Sequence, residues 1–273
     1  MHHDLLPVAA LDAGAVTALH LATVYRREVA ASLDRIWENV FDWEHLAHLH
    51  DGSFAQCELL VRDTAGWRVR LTPVGGRAQV IELRADRAAG RYVSTTLEGT
   101  GVGTEVRVSL VVQAPHETAV TVEFHLPEPD PSRRAAIGEA YASAYARLWD
   151  EDEGMMRARE RMLGRRWRPE ADAEPVDLGP EAAVRARLPL SFDWGGAPYR
   201  LLDLDGGLVA HSTVCPHWLG PLDEAAVDAG AVRCPWHGYR FDVRTGACLS
   251  HRSAPLARAP MIKIEAGRVI ARG

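Results

Sequence analysis

Apolar and polar positions alternate along this chain in two rhythms, one of period two and one of about 3.6, and the switches between them mark its elements. Residues 1–19 show no pattern and read as a leader. Residues 21–29 read as a strand. Residues 31–49 place Leu33, Ile36, Trp37 and Val40 at helical spacing, with Ser32 as N-cap. From 54 to 127 the period is two: Trp67, Val69 and Leu71, then Ile81 and Leu83, then Val106, Val108 and Leu110, then Val120, Val122 and Phe124. Turn signals fall between these runs at Ala65-Gly66, Gly75-Gly76, Ala89-Gly90, Gly101 to Gly103 and His116-Glu117. The pattern predicts a curved antiparallel sheet of about six strands. Pro127, Pro129 and Pro131 stop it, and residues 132–165 form a long helical run with Ile137, Tyr141, Tyr145, Leu148, Met155, Met156 and Leu163 on one face. Residues 166–180 are polar and proline-punctuated, a linker. Strand patterns then recur at 199–204, 208–212, 231–234, 240–243, 261–265 and 268–271, as in a small β-sandwich. The expected organisation is α+β in two domains, 20–165 and 181–273.

Strand, helical segment, antiparallel sheet and long final helix, in that order, resemble the helix-grip domain of START and polyketide-cyclase-like (SRPBCC) proteins over residues 20–165. That resemblance implies a cavity between sheet and helix for a small ligand.

Composition narrows the functional classes. The chain has 273 residues, 47% hydrophobic and 25% charged, with net charge −6. No apolar run is long enough to cross a bilayer. The start, Met1-His2-His3-Asp4, lacks a basic region, and Asp12 interrupts the following apolar stretch, so no secretory signal is expected and the cytoplasm is the expected compartment. Arginines scattered among acidic residues give no electrostatic reason to bind nucleic acid. Of the four cysteines, Cys57 and Cys248 read as small buried hydrophobes. Cys215 and Cys234 each have a histidine two or three residues on.

Cys215-Pro216-His217 and Cys234-Pro235-Trp236-His237 form a paired Cys-x-His and Cys-x-x-His arrangement, sixteen residues apart. A Rieske centre uses two thiolates on one iron and two imidazoles on the other. A structural zinc site takes the same donor types, but zinc fingers pair Cys with Cys and His with His, whereas here each loop supplies one of each. Residues 234–246 closely resemble the second cluster loop of Rieske ferredoxins and Rieske oxygenases. The resemblance implies a [2Fe–2S] cluster on Cys215, His217, Cys234 and His237, in a small all-β domain. One departure is visible. The family usually has His-x-Gly in the first loop, and here Trp218-Leu219 precedes Gly220, an extra residue expected to shift the loop and leave binding intact.

Glu38-Asn39-x-x-Asp42-x-x-His45-x4-His50 resembles the Rieske oxygenase segment that supplies two histidine ligands of a mononuclear iron and a carboxylate linking that iron to a cluster histidine. It implies His45 and His50 as ligands and Asp42 as the link, with His48 able to replace one ligand. Five residues apart on an ideal helix the rings would diverge by about 140°, so the helix must loosen or end, which Gly52 permits. A facial triad needs a carboxylate from elsewhere. On the long helix Asp152 falls in the apolar face near Leu148, while Asp150 and Glu153 point away. A carboxylate buried there requires a cation or metal. Glu151-Asp152-x-x-Met155 also resembles the oxygenase segment that donates this ligand.

The resemblance implies a Rieske non-haem iron oxygenase: a [2Fe–2S] cluster feeding a mononuclear Fe(II) that uses O2 to hydroxylate or demethylate a small aromatic or cyclic substrate. The family places its Rieske domain first, and here the order is reversed. No Gly-rich dinucleotide fingerprint follows a predicted strand, so a separate NAD(P)H-dependent reductase, with or without a ferredoxin, is the expected electron source. Homo-oligomers such as the family's trimers are a further expectation. Two other readings stay open: a START-like ligand-binding protein fused to a Rieske electron carrier without mononuclear iron, and a cyclase using histidines as acid and base. His2, His3, His20, His116, His125, His211 and His251 show no partner pattern.

Overall fold

The computed structural model describes residues 19–165, 173–250 and 254–273. The leader, the first part of the expected linker, and His2, His3 and His251 lie outside them. The chain divides into two compact units, 1–160 and 161–273. Among the described residues no helix is long and apolar enough to cross a membrane.

In the first unit, β1 (His20–Val29) leads into α1 (Leu33–Phe41) and a 3-10 turn, Glu44–Ala47. Six strands follow: β2 (Phe54–Arg62), β3 (Gly66–Pro73), β4 (Gln79–Asp86), β5 (Arg91–Glu98), β6 (Glu105–Ala114) and β7 (Glu117–Leu126). The sheet has seven strands rather than six, ordered β1-β7-β6-β5-β4-β3-β2 and antiparallel throughout. β1 is the addition, because it pairs along its whole length with β7, from His20 opposite Leu126 to Val29 opposite Thr118. The first and last strands are thus neighbours, and α1 with its turn carries the chain to the opposite edge at β2. Thr118, Val120, Val122, Phe124 and Leu126 face inward on β7, the period of two expected of a half-buried strand.

The long helix, α2 (Pro131–Leu163), begins on the third proline, whose fixed φ suits a first helical position. Its buried residues are Gly138, Trp149, Asp152, Met155 and Met156. Gly138 lies close to β1: a Cβ there would stand 3.0 Å from the Ala22 methyl. The buried stripe differs from the expected one at both ends, with Ile137 37% and Leu163 48% exposed. Its centre is Trp149, Asp152 and Met156, spaced three and four apart, and this rotation brings Glu153 inward. Glu153 pairs with Arg27 of β1 at 2.6 Å instead of pointing away. Glu38 of α1 accepts from Arg159 of α2 at 2.7 Å, fastening the two helices together.

Among its described residues the second unit is built of three small antiparallel sheets. β8 (Val176–Pro180) precedes a short α3 (Glu181–Arg185), then β9 (Leu190–Trp194), β10 (Ala197–Leu204), β11 (Gly207–Ser212), β12 (Val227–Asp228), β13 (Ala231–Arg233), β14 (Arg240–Asp242), β15 (Met261–Glu265) and β16 (Arg268–Arg272). The sheet orders are β11-β10-β9, β12-β13-β14 and β15-β16-β8. Residues 176–180, expected in the linker, are therefore a strand. Proline and acidic residues gave them a linker's composition, but their hydrogen-bond partner is β16, at the far end of the chain.

Candidate metal centres

Two loops of the second unit carry the expected cluster ligands, and they are the same hydrogen-bonded turn used twice. In the first, Cys215 N–H donates to Gly220 O at 2.9 Å and Leu219 N–H donates back to Cys215 O at 2.9 Å. In the second, Cys234 N–H donates to Tyr239 O at 2.8 Å and Gly238 N–H to Cys234 O at 2.9 Å. The fourth residue after each cysteine is left-handed, Leu219 at φ 63° and Gly238 at φ 68°. The first loop has the same span as the second, with leucine at the left-handed position and the glycine one place later.

That glycine has a packing role. A Cβ on Gly220 would lie 2.9 Å from Cys234 Sγ and 3.1 Å from the Trp236 ring. Cys215, Cys234 and His237 are buried and His217 is half-buried. The two imidazole rings stand edge to face with centroids 4.5 Å apart, and Tyr239 packs on His217 at 4.5 Å. The cysteines are hydrogen-bonded to each other, which pulls Cys234 below its ordinary value despite burial and pushes Cys215 up. Backbone N–H groups of His217 and Trp218 face Cys215, and those of Trp236 and His237 face Cys234. A pocket that shares one proton between two sulfurs and aims four amides at them fits thiolates on a cationic cluster, because both sulfurs then lose their protons and keep their donors.

In the first unit the chain brings His45, His50 and Asp152 together. All three are buried, and one ligand atom from each lies within 4.8 Å of the others. The helix that was expected to run to residue 49 ends at Phe41, before both histidines and well short of Gly52. The cause is local. Asp42 leaves helical geometry, its side chain accepts the Glu44 N–H at 3.1 Å, and the chain restarts as the 3-10 turn that holds His45. The rings of His45 and His50 consequently meet, with centroids 5.1 Å apart and planes at 75°. His48 caps the turn, half-buried, outside the triad.

Asp152 Oδ1 lies 3.4 Å from His45 Nε2 and 3.2 Å from His50 Nε2, and accepts from the Asn39 amide at 2.9 Å. Donors at adjacent positions around an ion with bonds of about 2.1 Å lie about 3 Å apart, so this spacing fits a small divalent cation. On the outer nitrogens, Asp42 Oδ2 stands 3.4 Å from His45 Nδ1 and Glu151 Oε2 2.5 Å from His50 Nδ1. Burial works to raise Asp152, yet His50, His45 and Asn39 hold it below the ordinary carboxylate range. Burial works to lower His50, yet Asp152 and Glu151 hold it above its ordinary value. Without a metal, Asp152 and His50 each favour the charged form of the other.

Sequence reasoning missed Asn39 and Glu151 as partners of the triad, although both stand inside the motifs that named it. It also missed Tyr92 and Tyr145. Burial keeps both phenols protonated, each near the other and near the Asp152 charge. Cys57 is pushed up to about 12 by burial and by Asp42, the behaviour of an inert core thiol. His211 is buried, with Nδ1 on Ser212 O at 2.9 Å, and borders a groove of about 570 Å³ that holds none of the expected ligands.

Residues 174–260 match the family described as Rieske [2Fe–2S] domain. The ferredoxin component of the p-cumate 2,3-dioxygenase system of Pseudomonas putida is 30% identical over 95 residues, covering 34% of this chain and 75% of the ferredoxin. Human apoptosis-inducing factor 3 is 36% identical over 58 residues, covering 21% of this chain, which spans about 10% of that relative's length. A START superfamily structure from Mycobacterium smegmatis covers 50% of this chain and 98% of its own, at 22% identity and TM-score 0.41.

Proposed function

The chain belongs to the Rieske [2Fe–2S] family, and we propose that it is a Rieske-type non-haem iron oxygenase with its cluster domain after, rather than before, the catalytic domain. Cys215 and Cys234 hold one iron of the cluster and His217 and His237 the other. His45, His50 and Asp152 hold a mononuclear Fe(II). The observation that supports this reading most is the convergence of those three side chains from two distant segments, buried and at ligand spacing. Two imidazoles and one carboxylate are a donor set that would suit Fe(II), which would there supply the activation of dioxygen.

The remaining residues act on this frame. Asn39 fixes the Asp152 carboxylate, and Asp42 faces His45 and is the link toward the cluster. Tyr92 and Tyr145, buried and near the Asp152 charge, keep their protons. The substrate is a small aromatic or cyclic molecule, hydroxylated or demethylated in the cytoplasm. Electrons come from a separate NAD(P)H-dependent reductase, directly or through a ferredoxin, to a homo-oligomer such as a trimer.

A second reading is favoured by the p-cumate relative, a ferredoxin component. In it, the chain is a START-like ligand-binding domain fused to an electron carrier, and the triad holds a proton. Metal analysis separates the two. The oxygenase reading expects three irons and two acid-labile sulfides per chain, whereas two irons with two sulfides support the carrier.

A further inference from the structure

We infer that Glu151 is a positioning residue that selects the tautomer of His50, an inference that rests on the mononuclear-iron reading above. Glu151 and Asp152 are consecutive on α2, and their side chains leave the helix about 100° apart. Between them sits one imidazole, with Glu151 Oε2 2.5 Å from Nδ1 and Asp152 Oδ1 3.2 Å from Nε2. The Phe54 ring packs edge-on against it at 6.2 Å. His50 is 1% exposed, so no bulk water reaches the ring to compete.

The two carboxylates compete for the ring's one proton when His50 is neutral. With the proton on Nδ1, donated to Glu151, the Nε2 lone pair faces Asp152 and is free to bind a cation. With it on Nε2, the ring donates to Asp152 and the cation is excluded. Glu151 biases the choice toward the first state. Its side chain is 42% exposed but the ring it bonds is 1% exposed, so the contact serves the fold as well as the site, and a partner on the outer nitrogen of a metal-bound histidine strongly affects affinity.

The test is calorimetric titration of Co(II) into full-length, cluster-bearing protein after mild chelation of the other iron. The wild type, Glu151→Ala and Glu151→Gln are compared, with His45→Ala to identify the site. Glu151→Ala is expected to weaken binding by about 10- to 100-fold. Glu151→Gln, whose carbonyl still accepts from Nδ1, should recover part of it, and Val108→Ala, a core truncation that also lowers the metal-free unfolding midpoint, should bind Co(II) as the wild type does. Equal Co(II) affinity in the wild type and Glu151→Ala overturns the inference and leaves the iron site standing. So does a Val108→Ala protein that loses as much affinity as Glu151→Ala. A wild type that binds no Co(II) sensitive to His45→Ala overturns the iron site and this inference together.

Discussion

Leu219 occupies in the first cluster loop the left-handed position that Gly238 occupies in the second, at φ 63° against 68°. A left-handed non-glycine residue costs on the order of 1 kcal/mol. Gly238→Ala should therefore destabilise the second loop by about that amount. Leu219→Gly should relieve the strain in the first, less what its half-buried side chain contributes. Denaturation followed by the visible band measures both, and a Leu219→Gly protein less stable than Gly238→Ala would show that packing outweighs strain there.

Cys234→Ser should abolish the visible colour of the purified protein and the electron paramagnetic signal of mixed nitrogen and sulfur ligation, because a hydroxyl does not replace a thiolate on iron. A colourless wild type carrying zinc would instead place the four ligands in a structural zinc site.

His45→Ala removes one side chain of the triad and nothing from the cluster loops. Iron should fall from three to two per chain by metal analysis, with two sulfides retained and an unchanged visible spectrum. A spectrum that collapses together with the iron content would mean that the two centres do not assemble separately.

Asp42→Asn keeps the shape of the side chain that starts the turn before His45 and removes its charge. Both metal sites should stay occupied, and an external donor should reduce the cluster at near the normal rate. Product formation, with a substrate found by screening, should drop by orders of magnitude. Normal turnover would remove Asp42 from the electron path.

The metal-free triad predicts a two-sided pH profile. Asp152 lies below its ordinary 3.8, so its contribution is present above that value and is lost as pH falls through the lowered one. His50 lies above its ordinary 6.5, so its contribution is full below 6.5 and fades as pH rises through the raised one. Stability should be greatest between these ordinary values. Denaturant midpoints across pH measure it, and Asp152→Asn should flatten both arms. An unchanged profile in that variant would assign the pH dependence to other groups.

Features that depend on near neighbours were readable along the chain. Alternation along β3, β6 and β7 placed their buried faces, and Ser32 capped α1 as expected, accepting from Arg35 N–H. Cys215, His217, Cys234 and His237 were legible because both ligands of each loop lie within four residues. Asp152 was legible because a carboxylate on an apolar helical stripe needs a partner. Tertiary structure decided the pairings between distant segments. β8 reads as linker until β16 supplies its hydrogen bonds, and β1 joins the sheet only when β7 is beside it. The buried stripe of α2 turned toward Trp149, Asp152 and Met156, and so set Glu153 against Arg27. The His45–His50 approach depends on a break at Asp42, and Glu151 finds His50 only once α2 lies along that break. Composition and periodicity describe the environment a residue needs. Which side chain meets it across a hundred residues of chain is fixed by packing, where donors, charges and volume must be satisfied together.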